Sequence, residues 1–358
     1  MKKKIIIFYP YINTFGGIEK LICTLADGID LSLVCFYDKI NLKKFNSKID
    51  IVKLNPKHYL DKIFTLRNFF KKNLAKGYPL MWGYKASFFA YLAQLKNYAV
   101  FIDDPPSLLS SARQNSNRSF FKYIRKKIAN YIDFKSINLA KHRITQTKRN
   151  AIELKNYFNC NFVFFYPGLK NKIFNSYKKS NKTIRLLSIS RLEKSKNIEW
   201  IIRAIEKYKL KNAKNFKNID CSIIGTGPNE LYLKKLIKNK SLEKNIKIRG
   251  FIGEKSKQNF LKKNHVFLIP AVQGYGLPAL EAISFLNKLI INKESRISEL
   301  LKKNQNIIIC KNNFADFYNK FEILINNKNV YRFNSNSKIN LPKENDWKKS
   351  IYNICNWI

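Results

Sequence analysis

Two stretches of the chain concentrate residues able to grip an anionic, hydroxyl-rich ligand. In the first, an apolar run over residues 184–190 leads into Arg191-Leu-Glu-Lys-Ser-Lys196. Arg191 and Lys196 thus stand at the C-terminal end of a strand, where open α/β sheets bind ligands, and both can reach a diphosphate from the loop. Their charge would neutralise a diphosphate as it departs from a reacting carbon. Any single Lys here is most simply a surface group, but Arg is scarce in this chain, so Arg191 weighs more. In the second stretch, Pro270-Ala-Val-Gln273-Gly274-Tyr275-Gly276-Leu277-Pro278-Ala-Leu-Glu281 follows an apolar run and opens a helix. Its glycines let the backbone approach a ligand, its helix start presents unpaired N–H groups, and Pro278 suits the first turn. Glu281 lies a turn further in, where a carboxylate can accept two ribose hydroxyls. Alone, the stretch reads equally as a strand–turn–helix connection. A third segment, Ile223-Ile-Gly225-Thr-Gly227-Pro228, resembles a dinucleotide fingerprint but lacks its third glycine and acidic partner, so it reads as a turn beside a nucleotide pocket.

Apolar runs that would position these loops recur along the chain. Strands are expected at residues 4–9, 31–37, 99–102, 142–147 and 162–165, then at 184–190, 221–224, 246–249, 266–270, 289–292 and 307–310. Helix-period segments lie between them. Strand–helix alternation, repeated twice with a break near residues 167–177, predicts an α/β protein of two tandem Rossmann-like, doubly wound domains with a C-terminal helix. The expected division is 1–168, 169–340, and a final helix in 341–358 packing back on the first domain through Trp347, Ile351, Ile354 and Trp357. Residues 326–342 are polar and aperiodic and read as a linker.

Together these motifs resemble glycosyltransferase family 4, a retaining group on the GT-B fold. That family's strand ending in G/S-R-L-x-x-x-K is matched by Ser190-Arg191-Leu192 and Lys196, and its G-x-G-P turn by Gly225 to Pro228. Its E-G-F-G-L-P-x-x-E motif is matched by Gln273-Gly-Tyr-Gly-Leu-Pro-Ala-Leu-Glu281. Order and spacing agree across about residues 184–300 and more weakly over the N-terminal half, where Gly16-Gly17 stands for the family's glycine pair near the donor phosphate. Tyr166-Pro167-Gly168-Leu169 occupies the place of its P-N-G-V interdomain segment.

The resemblance implies roles. Arg191 and Lys196 would bind the donor diphosphate, helped by Gly225 and backbone amides near Gly274, Tyr275, Gly276, Leu277 and Pro278. Glu281 would bind the ribose, and the loop with Phe251 and Ile252 would lie near the base. It implies a nucleotide-diphosphate sugar of UDP or GDP type as co-substrate, no cofactor and no metal, and closure by hinge motion around residues 168–177. Two positions depart from the family: Gln273 replaces an acidic residue that bonds the donor sugar, and Asp103 stands where many relatives carry a histidine near the transferred sugar. An Asp there can bond the sugar or deprotonate an acceptor hydroxyl. Both departures leave open a catalytically weak or inactive nucleotide-sugar-binding relative.

The formal net charge is +44 over 358 residues, most of it from Lys scattered along the chain. Drift in composition accounts for its origin, and attraction to an anionic membrane surface is its physical consequence. Nucleic acid is disfavoured as a partner, since Lys rather than Arg dominates and no zinc-finger or RNA-recognition spacing occurs. The six cysteines are dispersed without a CxxC pair, as in reduced cytosolic proteins. The N-terminal apolar run ends within a few residues at Pro10, too soon for a signal peptide. A cytoplasmic enzyme is expected, with peripheral association on the inner face of the cytoplasmic membrane as the consequence of its charge. Aromatic-basic segments at residues 62–72 and 120–127 fit either interfacial helices or core helices with solvated basic faces. The acceptor implied is a glycan or lipid-linked hydroxyl in cell-surface polysaccharide or glycolipid synthesis.

Overall fold

A computed structural model describes residues 3–110, 120–170, 183–212, 218–302, 304–334 and 340–358. The chain divides into two compact units, Met1–Lys170 with Pro342–Ile358, and Asn171–Leu341.

The first unit is built on a seven-stranded parallel sheet. In spatial order its strands are Ile49–Lys53, Leu31–Cys35, Ile5–Phe8, Leu80–Trp82, Ala99–Ile102, His142–Thr145 and Val163–Phe164. Chain order therefore runs 3-2-1-4-5-6-7, with the direction of winding reversing between Ile5–Phe8 and Leu80–Trp82. Ile5–Phe8 and Ala99–Ile102 are buried at every residue, which is why they read as continuous apolar runs. Ile49–Lys53 and Leu80–Trp82 escape the sequence reading for opposite reasons. The first is an edge strand carrying Asp50 and Lys53, and the second is three residues squeezed between Pro79 and Gly83. A small parallel pair, Tyr11–Ile12 with Tyr37–Asp38, extends beyond the sheet's C-terminal edge.

The chain returns to this unit at its end. The helix Glu344–Ile354 buries Trp347, Ile351 and Tyr352, and Trp357 follows fully buried. Trp357 Nε1 donates to the Tyr78 carbonyl at 3.0 Å, and the Tyr352 hydroxyl donates to the Leu25 carbonyl. At Gly77, φ is 65° and a Cβ would stand 2.1 Å from the Cys355 carbonyl oxygen, so only glycine admits this contact. Gly168 is likewise pressed on the Lys343 backbone, with Leu169 N–H donating to Pro342 at 3.1 Å. The hinge expected over residues 168–177 lies, from 171 onward, outside the described residues.

The second unit has six parallel strands in the spatial order Ile246–Ile248, Ile219–Ile224, Ile184–Ile189, Val266–Ile269, Lys288–Asn292 and Ile307–Cys310. This is the 3-2-1-4-5-6 order of a doubly wound sheet. Helix Ile198–Lys211 buries Ile201, Ile202 and Ile205 on it, and helix Phe314–Asn326 adds Phe317 and Phe321 to the same core. Burying side chains of this size supplies about 1.5–3 kcal/mol each. Here the direction of winding reverses between the parallel neighbours Ile184–Ile189 and Val266–Ile269, and the crevice outside such a reversal is where doubly wound sheets bind ligands. Among the described residues no helix is long and apolar enough to cross a membrane.

Candidate functional site

At the reversal of the second sheet lies a shallow hollow lined by Ser190, Lys196, Ile198, Pro270, Gln273 and Pro278, among others. Two of the three motifs that stand out in the sequence therefore face one another across adjacent strand ends.

The third motif holds the first in place. Ser190 N–H donates to the Ile224 carbonyl at 3.0 Å, Leu192 N–H to Thr226 at 2.9 Å, and Asn229 N–H to Leu192 at 2.9 Å. A Cβ on Gly225 would lie 1.9 Å from the Ser190 oxygen, and one on Gly227 would lie 2.5 Å from that of Leu192. These glycines let two backbones touch, which fixes the loop that carries Arg191. Gly225 N–H also donates to the Gly250 carbonyl at 2.8 Å, so the loop with Phe251 and Ile252 is laced to the same turn. Phe251 itself is 75% exposed.

Arg191 is largely exposed and pairs with Glu193 at 2.8 Å. An exposed pair of this kind is worth at most about 1 kcal/mol, so a phosphate can take the guanidinium from it. Lys196 is half-buried on the wall of the hollow, just ahead of helix Ile198–Lys211. Asn197 between them adopts a left-handed φ of 51° and donates through Nδ2 to the Pro270 carbonyl at 3.3 Å, tying the two loops together.

Across the hollow, Gly276 (φ 78°) turns the chain into helix Leu277–Ser284 with Pro278 in its first turn. The Gln273 side chain folds over this glycine, its Nε2 standing 2.9 Å from where a Cβ would be. Gly274 and Leu277 are half-buried, whereas Tyr275 is buried, leaving its main chain as the part a ligand can meet. Glu281 is 7% exposed, and its carboxylate is held by Lys257 of helix Glu254–Lys263 at 2.9 and 3.1 Å. Lys257 also pairs with Glu254 at 2.9 Å. Sequence reading passed over Lys257, whose one signal was its i,i+3 spacing from Glu254.

In the first unit, Gly16 and Gly17 are exposed at the start of helix Gly17–Ala26. Glu19, which also escaped the sequence reading, pins them: its Oε2 accepts from Gly16 N–H at 2.9 Å and its Oε1 from the Tyr9 hydroxyl at 3.3 Å. Burial pushes the Glu19 carboxyl above its usual range. Asp103 follows strand Ala99–Ile102, and its carboxylate accepts from Trp82 Nε1 at 2.8 Å and from Gln146 Nε2. Burial, and secondly the neighbouring Asp104, push Asp103 up to about 7. Trp82 closes the three-residue strand missed in the sequence, and its indole is what orients Asp103. Tyr9 is raised by burial and by the Glu19 and Asp103 carboxylates, so these three groups share one neighbourhood at the first sheet's own reversal.

Residues 170–340 match the family model described as Glycosyl transferases group 1. The second unit is a group 1 glycosyl transferase domain. Arg191, Lys196, Gln273 and Glu281 all fall within the matched span of this transferase domain, while Gly16, Gly17 and Asp103 lie outside it. No curated protein sequence matched the chain. Solved structures do. WaaG, a glycosyltransferase involved in lipopolysaccharide biosynthesis, aligns with a TM-score of 0.75 at 10% identity, covering 98% of this chain and 99% of its own. HepE of Anabaena, crystallised with UDP-glucose, aligns with a TM-score of 0.77 at 13% identity over the whole of both chains. A glycosyltransferase from Rickettsia africae gives 0.71 at 15%, covering 99% of each. At these identities the likeness establishes the fold, GT-B, around the transferase domain.

Proposed function

We propose that the chain transfers a hexosyl group, with retention, from a nucleotide-diphosphate sugar to a hydroxyl of a glycan or lipid-linked acceptor. The observation that carries this is that Lys196, Gln273 and Pro278 line one hollow at the reversal of winding in a group 1 transferase domain, with Arg191 on the loop that leads to Lys196. Arg191 and Lys196 stabilise the diphosphate as the glycosyl bond breaks, and the amides opening helix Leu277–Ser284 add dipole to that stabilisation. Glu281, held by Lys257, offers its remaining lone pairs to ribose hydroxyls. Gln273 bonds the donor sugar as a neutral amide, which accepts and donates where a carboxylate only accepts. No metal is required in this reading, because two cations and a helix start carry the electrostatics.

UDP is favoured as the nucleotide by the neighbour crystallised with UDP-glucose, and a cell-surface glycan or glycolipid as product by the neighbour involved in lipopolysaccharide synthesis. Peripheral docking on the inner face of the cytoplasmic membrane fits helix Phe120–Leu139. There Ile124, Ile128 and Tyr131 form an exposed stripe at i, i+4 and i+7, beside Arg125, Lys126, Lys127 and Lys135. A panel of UDP- and GDP-sugars assayed for nucleotide release, with and without acceptor glycolipids, tests the reading. Release from at least one donor supports it; release from none, with binding intact, favours the inactive relative.

A further inference from the structure

Along the C-terminal edge of the first sheet, the segments following four adjacent strands bring aromatic rings around two ammonium groups. Lys62 Nζ lies 5.4 Å from the ring centre of Tyr11, 5.9 Å from Phe36, 5.8 Å from Tyr37 and 5.3 Å from Tyr59. Lys85 Nζ lies 5.1 Å from the same Tyr11 ring. Tyr11 follows Ile5–Phe8, Tyr37 follows Leu31–Cys35, Tyr59 follows Ile49–Lys53 and Lys85 follows Leu80–Trp82, so the sheet's own topology gathers them. The small strand pair sets Tyr11 opposite Tyr37 with rings 6.4 Å apart and 17° from parallel.

The electrostatics of this cage are one-sided. Lys62 donates to the Tyr11 hydroxyl at 3.2 Å, yet among the described residues no carboxylate pairs with Lys62 or Lys85. Nearby acids are engaged elsewhere: Asp38 binds Lys53 at 2.6 Å, and Asp61 accepts from Lys57 N–H at 2.7 Å. Ring faces stabilise the ammonium groups without neutralising them. Tyr37 and Tyr59 remain 40% and 53% exposed, so aromatic surface is accessible beside the two ammonium groups. A pyranose presents C–H groups of slight positive charge that stack on aromatic faces, and a phosphate monoester suits ammonium groups gathered about one ring.

We infer that Tyr11, Tyr37, Tyr59, Lys62 and Lys85 form a binding site for a phosphorylated pyranose. That this ligand would serve as the acceptor rests on the proposed transfer reaction; the binding site itself does not.

The test is calorimetric titration of the full chain with glucose 1-phosphate, glucose and inorganic phosphate, in saturating UDP so that the transferase domain's own site is filled. Glucose 1-phosphate should bind at least about tenfold more tightly than either fragment, about 1.4 kcal/mol. Lys62→Gln and Lys85→Gln should each weaken it by about tenfold, the value of a charge-assisted contact. Tyr59→Ala should remove the preference over inorganic phosphate. Equal binding of phosphate and glucose 1-phosphate would overturn the proposal, leaving only general attraction to a highly charged surface. So would parental binding in both Lys85→Gln and Tyr59→Ala, two exposed positions whose change spares the core, since the cage would then be packing alone. UDP affinity, read in the same samples, should not move in any variant. Its absence from the parent would count against the transfer reading and not against this site.

Discussion

Lys257 grips both carboxylate oxygens of Glu281, at 2.9 and 3.1 Å, from a neighbouring helix. Both side chains are largely withdrawn from water, so each cancels a charge the other could not carry alone. Replacing Lys257 by Met leaves a nearly buried carboxylate uncompensated and should cost about 3–5 kcal/mol in urea unfolding. The double change with Glu281→Leu should recover much of that stability while abolishing nucleotide binding. The split between stability and binding separates the pair's two duties.

Asp103 predicts a pH dependence of stability. Its folded value is pushed up to about 7 while an unfolded carboxyl titrates near 4, so folding favours the protonated form. Stability therefore falls as pH rises from about 4 to about 7 and stays low above it. Asp103→Asn should remove this loss, because an amide can still accept from Trp82 and, if Gln146 turns, donate to it. Melting curves should show the variant more stable than the parent at pH 8 by roughly 2–4 kcal/mol, with the advantage gone near pH 4.

The glycines of the Gly225–Gly227 turn act at one remove from any ligand. Gly225→Ala puts a methyl against the Ser190 carbonyl at a φ of 140° and should cost about 2–3 kcal/mol. Because the displaced loop carries Arg191, the affinity for UDP should fall in the same variant, whereas Thr226→Ala, on an exposed side chain, should change neither.

The stripe on helix Phe120–Leu139 predicts salt-sensitive binding to anionic liposomes. Ile128→Glu and Tyr131→Glu, both at exposed positions, should abolish flotation with phosphatidylglycerol vesicles without altering the melting temperature. Parental binding by both would exclude this helix as the contact.

The fold was legible wherever strands are buried on both faces, since Ile5–Phe8, Ala99–Ile102 and Val266–Ile269 have no polar residue to obscure them. It was not legible at Leu80–Trp82, too short for any period, or at the charged edge strand Ile49–Lys53. The loops at the second sheet's reversal were readable because glycine, proline and arginine at fixed offsets state a backbone requirement directly. Glu19, Trp82, Gln146 and Lys257 were not, because each acts on a residue distant in sequence or through a contact that only the folded chain creates. Gln146, for example, meets Asp103 across 43 positions.

The proposed transfer requires Arg191 and Lys196 to hold a nucleotide diphosphate. Direct titration of UDP into the parent, Arg191→Ala and Lys196→Ala measures this without needing the donor sugar or acceptor. Each substitution should weaken UDP by about tenfold or more, the worth of a charge-assisted contact, with uridine affinity unchanged. UDP binding that survives both substitutions at parental strength would contradict the assignment.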